Sequence, residues 1–371
     1  MLYFNIHDKI LLALRGADQS YEDYFKKRLG YFLIKDKITT IPTITVNFVN
    51  AIRYKGRIKY IGNNMPYDSS YFYYTDKGGY KLGFDIKSNR IAITCQRGIN
   101  RLDCFYIVEN MLRDLITKSG AVFLHASGVT YKNAAVIFPA WGGTGKTNIL
   151  IQFLFADASF LGDDMVVIDK DGNVYPYPKP LNLLYYNFDE YKDFLLDKAS
   201  LKTKIIYRHL NAMRKIDSVL QKRLKNDNLL IKIDRFFLKR VADRCNEHIE
   251  LNEIFPDAKI ARSTHLQFVL FLTRTAGKVF IIKKIKPDLL AKKMTICSKW
   301  ERDYLSDLSL PYLFAYPEKE RIIREMMGGE REIIKDCFGK VKGVYSVEAG
   351  LDLSPVDIYF KLTRFIDKVN S

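Results

Sequence analysis

The sequence predicts an α/β fold, with α+β character overall, and three patterns support that prediction. An apolar strand at 134–138 enters a glycine-rich turn, and an apolar helix begins near Lys146. A second apolar run, at 160–168, carries two adjacent carboxylates. At 44–49 apolar residues recur at every second position, as they do in half-buried strands. Strand–turn–helix units beside short alternating strands are typical of a mixed α/β chain.

Length and patterning predict two domains, because 371 residues are long for a single core. Residues 1–118 are predicted to form a β-rich domain ending in a bridging amphipathic helix at 102–116. Residues 119–371 are predicted to form a second domain, with a basic helical insertion at about 187–255. The N-terminal strands are expected to form a meander. Its expected strands are 44–49, 57–61, 71–75, 80–84 and 91–94.

The charge is strongly positive, at +17 with a pI of about 9.4. Between residues 201 and 240, twelve Lys or Arg stand against three Asp, which gives +9. This segment predicts docking of an acidic or polyanionic substrate. A solvated helical face with lysine stems lying along it is an equally good interpretation. Only a few aromatic residues interrupt the segment, which is evidence against a stacking platform for single-stranded nucleic acid.

Composition points to a soluble cytoplasmic protein that is not a membrane protein, since no apolar run reaches the length of a span and no signal peptide is recognisable. The cysteines are odd in number and form no C-x-x-C pair, so reduced thiols are expected and a zinc site is not. They are Cys95, Cys104, Cys245, Cys297 and Cys337.

A phosphate-binding loop (P-loop, Walker A) is predicted between the strand and the helix. The pattern G-x-x-x-x-G-K-S/T is matched except at its first position, where Ala140 replaces glycine. Consecutive backbone N–H groups, the helix N-terminus and Lys146 would bind a polyphosphate, and Thr147 would bind Mg²⁺. The residues expected to bind the nucleotide are Trp141, Gly142, Gly143, Thr144, Gly145, Lys146, Thr147 and Asn148.

Two further segments carry candidate catalytic groups. Asp163 and Asp164 stand at the edge of the apolar run, where one carboxylate would hold Mg²⁺ and the other would accept the proton of an attacking hydroxyl. Alone, the pair would be interpreted as a solvated turn. His125 lies 21 residues before Lys146, within a predicted strand at 122–129. A lone histidine in an apolar strand is more often structural than catalytic.

These three segments together resemble the catalytic core of HPr kinase/phosphorylase, a core shared with ATP-dependent phosphoenolpyruvate carboxykinase. The resemblance implies a P-loop HPr kinase/carboxykinase-like core, clearest over residues 120–185. It implies that Lys146 binds the β- and γ-phosphates and Thr147 binds Mg²⁺. It further implies that Asp164 is the catalytic base, that Asp163 is its companion on the metal side, and that both carboxylates are candidate metal ligands. His125 would lie near the transferred phosphoryl group.

Two additional sites follow from the same resemblance. The segment 259–264 is similar to a basic loop that clamps phosphate in HPr kinases, which makes Arg262 a candidate catalytic residue. A solvated arginine before a strand explains it equally well. The family has a further acidic metal ligand, for which Asp189 and Glu190 are candidates. HPr kinases assemble into rings, so a homo-oligomer is compatible with the resemblance.

The sequence therefore predicts a kinase that depends on ATP and Mg²⁺ and transfers the γ-phosphoryl group to a hydroxyl, most simply Ser or Thr of a protein or peptide. Alternative acceptors are a hydroxyl of a nucleic acid or of a small molecule. Carboxykinase-like chemistry is a further alternative, although no oxaloacetate-binding residues are recognisable. A nucleotide-binding regulatory protein without transfer activity is also compatible with the motifs.

Overall fold

The structure is a computed structural model that describes residues 1–36, 39–62, 65–87, 90–223, 229–301 and 303–370. Helices account for 43% of the residues and strands for 31%, so the predicted α/β class is confirmed. The helices are α1 Gln19–Leu29, α2 Arg101–Ile116, α3 Lys146–Phe155, α4 Tyr185–Glu190, α5 Lys192–Leu195, α6 Leu201–Arg223, α7 Leu229–Arg244, α8 Leu251–Ile254, α9 Pro287–Glu301, α10 Asp303–Ala315, α11 Glu320–Met327, α12 Glu330–Gly339 and α13 Pro355–Asn370.

The strands divide between two large sheets and one small antiparallel pair. They are β1 Leu2–Ile6, β2 Ile10–Arg15, β3 Leu33–Ile34, β4 Ile44–Val49, β5 Lys59–Ile61, β6 Met65–Tyr67, β7 Phe72–Thr75, β8 Lys81–Lys87, β9 Arg90–Gln96, β10 Ala121–Leu124, β11 Ala126–Tyr131, β12 Ala134–Pro139, β13 Ser159–Gly162, β14 Val166–Asp169, β15 Asn173–Tyr175, β16 Leu181–Leu184, β17 Asn246–Ile249, β18 Thr264–Thr275, β19 Phe280–Lys284 and β20 Gly343–Gly350.

The first sheet has the order β3-β1-β2-β4-β9-β8-β7-β6-β5. Strands β5 to β9 follow one another in antiparallel order, as a meander does. The predicted meander is wrong at 44–49, because β4 pairs in parallel with β2 and β9 and not with β5. Period-two alternation predicts which face of β4 is buried, but the identity of its neighbours depends on long-range packing.

Helix α2 lies against both sheets. Its buried residues, such as Phe105 and Leu112, belong to a cluster that includes Phe4 of the first sheet and Phe123 of the second. Asn100 caps the helix by accepting N–H groups of its first turn. The helix therefore connects the β-rich residues to the second sheet through one continuous apolar core.

The second sheet runs β10-β14-β15-β18-β12-β11-β13, with β20 parallel to β18 and β19 antiparallel to β20. Helices α3 and α13 contribute Leu150 and Leu362 to the core on one face. Helices α9 and α12 contribute Met294 and Ile334 to the core on the other face. This three-layer arrangement leaves the end of β12, where the glycine-rich loop begins, between buried layers.

Helices α6 and α7 occupy the basic segment 201–240, of which residues 224–228 lie outside the described residues. The small β16–β17 pair flanks this helical region. Among the helices of the described residues, none combines the length and the apolar composition that a bilayer span requires.

The turn after β13 is crowded at Gly162. A Cβ on Gly162 would lie 2.2 Å from the carbonyl oxygen of Met165 and 3.1 Å from Val166 Cγ1. Backbone cannot move aside cheaply, so the turn that carries the two carboxylates requires glycine here.

We expect Gly162→Ala to lower the free energy of unfolding by about 1–3 kcal/mol, because the added methyl group overpacks the turn. Gly339→Ala is the matched control, since a Cβ at this position, the last of α12, meets no atom within 4 Å. Chemical denaturation of both variants measures the difference. Equal stability of the two variants would contradict the described turn.

Candidate functional site

The glycine-rich loop has the backbone that the motif predicts. Gly143 and Gly145 have φ of 77° and 89°, which favour glycine, and a Cβ at either would meet no atom within 4 Å. These glycines are therefore needed for their conformation and not because neighbours crowd them. Ala140 is fully buried, pairs with Leu272 as a continuation of β12, and is not among the residues with positive φ. Alanine is thus compatible with the first position of this loop.

Lys146 is only 5% exposed and its side chain folds back into the loop. Its Nζ lies 2.5 Å from His125 Nε2 and donates to the carbonyl oxygens of Ala140 and Trp141 at 3.2 and 3.4 Å. Burial lowers the pKa of Lys146, and the nearby carboxylates of Asp164 and Asp163 oppose that lowering. The loop therefore contains a poorly solvated cation that an incoming phosphate would stabilise.

The structure places His125 between β10 and β11, so the single predicted strand at 122–129 is wrong. β10 pairs with β14 while β11 pairs with β12 and β13, and the chain changes partners at His125. The histidine is 8% exposed. This break in pairing is what directs a histidine from the sheet into the loop region.

Glu301 contacts the second ring nitrogen of His125. No sequence pattern predicted this residue. His125 Nδ1 forms a short ion-pair contact with Glu301 Oε1, and Arg113 Nη2 lies 3.7 Å from Glu301 Oε2. When the ring proton is on Nδ1 and is donated to Glu301, the lone pair of Nε2 can accept a hydrogen bond from Lys146. Helix α9 extends to Glu301, and its C-terminal end brings the carboxylate to the site.

Asp163 is buried beside the first turn of α3. It accepts from Ser127 Oγ at 2.6 Å and from Thr147 Oγ1 at 3.0 and 3.2 Å. Burial, together with the charge of Asp164, raises the pKa of Asp163 to about 6. Ser127, on β11, was not predicted, because its position carries no motif.

Asp164 lies in the turn between β13 and β14 and is half-buried. The apolar run at 160–168 is therefore divided between β13 and β14, with both carboxylates following the end of β13. Asp164 has a φ of 65°, which aspartate adopts more readily than most residues, and its carbonyl accepts from Ala126 N at 3.2 Å. Burial raises the pKa of Tyr186 to about 12, and Asp164 and Asp163 add to that effect.

The first turn of α3 also packs against α4. Asn187 Nδ2 donates to Asn148 Oδ1 at 2.6 Å, and Tyr191 OH donates to the Asn148 carbonyl at 2.7 Å. The predicted nucleotide-binding residue Asn148 thus has a protein partner that fixes the helix N-terminus. Asn187 has no sequence motif that would have identified it.

The sequence candidates Arg262, Asp189 and Glu190 form no hydrogen bond or ion pair with this cluster among the described residues. Arg262 is exposed, and the contacts of the described residues do not connect it to Lys146 or Asp164. Asp189 accepts from Arg214 at 2.8 Å and from Tyr207 at 2.9 Å, in a contact with α6. Glu190 is exposed as a whole residue, and partial desolvation of its carboxyl group raises its pKa. The contacts of the described residues therefore do not link these three residues to the loop.

The two tryptophans of the chain meet at the loop. The ring centroids of Trp141 and Trp300 lie 5.8 Å apart with the planes tilted by 38°. They remain 46% and 63% exposed. The C-terminal end of α9 therefore contributes an aromatic ring over the loop as well as the carboxylate on His125.

The oxygen atoms around Thr147 are of the kind that coordinate Mg²⁺ in proteins. The Thr147 hydroxyl and the buried Asp163 carboxylate lie within hydrogen-bond distance of each other, and Asp164 follows directly. Mg²⁺ prefers oxygen ligands and is commonly bound by one or two carboxylates together with substrate phosphates. A cation here would offset the unfavourable charge of buried Asp163, so the residues fit the ion.

Comparison with models of known protein families found no match to this chain, and comparison with curated proteins found none either. The site is therefore interpreted from its own geometry. That geometry unites a glycine-rich loop, a buried lysine, a hydroxyl–carboxylate pair and an adjacent half-buried carboxylate.

Asp163→Asn is expected to stabilise the protein at pH 8 in the absence of nucleotide and Mg²⁺. Because the pKa of Asp163 is raised in the folded state, the folded protein binds more protons than the unfolded one between about pH 4 and 6, and stability falls as pH rises through that window. Ionisation of buried Asp163 therefore lowers the free energy of unfolding of the wild type by roughly 3 kcal/mol above pH 6.

Thermal denaturation of wild type and variant at pH 4 and pH 8 checks this. The stabilisation by Asp163→Asn should largely vanish at pH 4. A variant that is less stable than wild type at pH 8 would show that the Ser127 and Thr147 hydrogen bonds outweigh the cost of burying the charge.

Proposed function

We propose that this protein is a P-loop kinase of the HPr kinase/carboxykinase type. It transfers the γ-phosphoryl group of ATP to a hydroxyl, with Ser or Thr of a protein or peptide as the favoured acceptor, and it requires Mg²⁺. The observation that carries the proposal is the convergence of Lys146, Thr147, Asp163, Asp164 and His125 from separate segments on one loop.

Binding of the donor uses the loop and its lysine. The triphosphate lies on the N–H groups of the glycine-rich loop and the N-terminus of α3. Lys146 exchanges its contacts with His125 and the Ala140 carbonyl for phosphate oxygens. Thr147 and Asp163 would hold Mg²⁺, which supplies positive charge that offsets the charge of the phosphates.

Transfer then depends on positioning and on one proton acceptor. The acceptor hydroxyl oxygen forms a bond to the γ-phosphorus, the bond from that phosphorus to the bridging oxygen breaks, and ADP leaves. Asp164 takes the hydroxyl proton. His125, held by Glu301, keeps Lys146 at the phosphoryl end of the loop and lies beside the transferred group.

The half-buried position of Asp164 suits a base that meets an external hydroxyl. Asp163 is buried and accepts hydrogen bonds from two hydroxyl groups, so its assigned role is to bind the metal ion. The two carboxylates therefore have separate roles, which follow from their different exposure.

Asp164→Asn is expected to abolish transfer while leaving ATP affinity within a few fold, because the amide cannot accept the proton and the phosphate loop is unchanged. Loss of a general base costs roughly 10²–10⁴ in rate. Transfer is measured with γ-³²P-labelled ATP, Mg²⁺ and cell lysate, with labelled proteins and nucleic acids separated. ATP affinity is measured by calorimetry.

Asp171→Asn is the matched control, because Asp171 is an exposed carboxylate that pairs with surface Lys340 at 3.1 Å. It should transfer at the wild-type rate. Unchanged turnover in Asp164→Asn would remove Asp164 from its role. ATP binding by wild type with no labelled acceptor would favour a regulatory nucleotide-binding protein.

A further inference from the structure

The chain segment after β15 runs beside the turn that carries Asp164. Tyr177 N donates to the Leu161 carbonyl at 2.8 Å, and Tyr177 pairs with Gly162 in a parallel bridge. The two segments run in the same direction at that bridge, and the turn that contains Asp164 follows directly after Gly162. Asp164 follows Gly162 by two residues and Lys179 follows Tyr177 by two residues, so both reach the same edge of the sheet.

Lys179 is tied to a buried acid of the bridging helix. Its Nζ pairs with Glu109 Oε1 at 3.0 Å, and Tyr177 OH donates to the same oxygen at 3.1 Å. Glu109 is 3% exposed. This ion pair connects α2 to the sheet edge near Asp164. The opposite charges of Lys179 and Glu109 offset each other there.

Helix α1 brings two further cations to the same place. Lys27 Nζ donates to the His248 carbonyl of β17 at 3.5 Å. The Arg28 guanidinium lies over the rings of Tyr24 and Phe105 at 5.5 and 5.7 Å. Within the described part of the chain, neither Lys27 nor Arg28 forms an ion pair with a carboxylate. Their charges are therefore available to an external anion.

The side chains around this edge are electrostatically coupled to Asp164. Burial lowers the pKa of His248, Arg28 and Lys179 lower it further, and Asp164 opposes them. Burial raises the pKa of Tyr106, a half-exposed residue of α2, and Asp164 contributes to that rise. The imidazole of His248 and the phenol of Tyr106 therefore lie within range of the charge of Asp164, the proposed base.

We propose that these groups form an acceptor cleft that binds an acidic peptide segment carrying the hydroxyl to be phosphorylated. The inference rests on the proposed function for the role of Asp164. The residues of the acceptor cleft are Lys27, Arg28, Tyr106, Lys179 and His248.

The chemistry favours a carboxylate-bearing peptide over nucleic acid. An arginine fork binds a carboxylate through two parallel hydrogen bonds, and Arg28 has no such partner of its own. A nucleic-acid backbone needs a run of cations that follows successive phosphates. Here Lys27 and Arg28 are two adjacent cations near Glu250, and two cations are too short a run to follow successive phosphates. A short acidic peptide offers carboxylates to the arginine fork and does not need a long run of cations.

The test uses a fluorescein-labelled peptide with one serine flanked by Asp and Glu, and a neutral peptide with Asn and Gln in their place. Binding is measured by anisotropy at low and moderate salt, and transfer from ATP is measured on the same peptides. The double variant Lys27→Ala/Arg28→Ala should weaken acidic-peptide binding by at least about tenfold and leave ATP affinity within twofold.

Lys26→Ala is the matched control, because Lys26 directly precedes Lys27 on α1 but pairs with Glu22 at 3.2 Å. It should bind the acidic peptide as wild type does. The melting temperature of each variant separates loss of the cleft from loss of folding.

The inference is overturned if wild type binds the neutral peptide as tightly as the acidic one, or if the double variant and Lys26→Ala have equal effects. Tighter binding of a single-stranded RNA of similar length than of the acidic peptide would also overturn it. Binding of the acidic peptide without transfer, alongside intact ATP binding, would support the cleft and contradict the proposed kinase activity. The two proposals are therefore tested separately.

Discussion

The site depends on keeping the Lys146 ammonium buried inside the glycine-rich loop. A buried cation is costly unless it is hydrogen-bonded and faces opposite charge. Here His125 and two loop carbonyls contact its Nζ, and Asp163 and Asp164 supply the opposite charge. Under the proposed function, a phosphate group would replace those contacts with a stronger charged partner. The free protein therefore holds Lys146 close to where a polyphosphate would use it.

The fold makes this arrangement by changing strand partners around the loop. β10 and β11 separate at His125, β12 ends where the loop starts, and β13 ends just before the two carboxylates. Each break places a polar side chain at one edge of the sheet. Helices on both faces keep that edge within the apolar core, and α9 adds Glu301 and Trp300 from a distant part of the chain.

The local parts of this site could be predicted from the sequence, and the long-range parts could not. The strand, the loop glycines and the start of α3 follow from a contiguous motif, and the structure confirms them. Glu301, Ser127 and Asn187 contact site residues but lie outside any motif, because their contacts depend on how distant elements pack. The same reason explains why β4 was predicted beside the wrong strand.

The most direct test of the account is calorimetry of Mg²⁺–ATP binding to wild type and to Lys146→Ala, with Lys132→Ala, an exposed lysine paired with Asp367, as the control. The account predicts that wild type and the control bind ATP, and that removing the Lys146 ammonium weakens binding by at least about 100-fold, since a charge-assisted contact in a buried site is lost. Equal affinity of wild type and Lys146→Ala, or no binding by wild type, would contradict it.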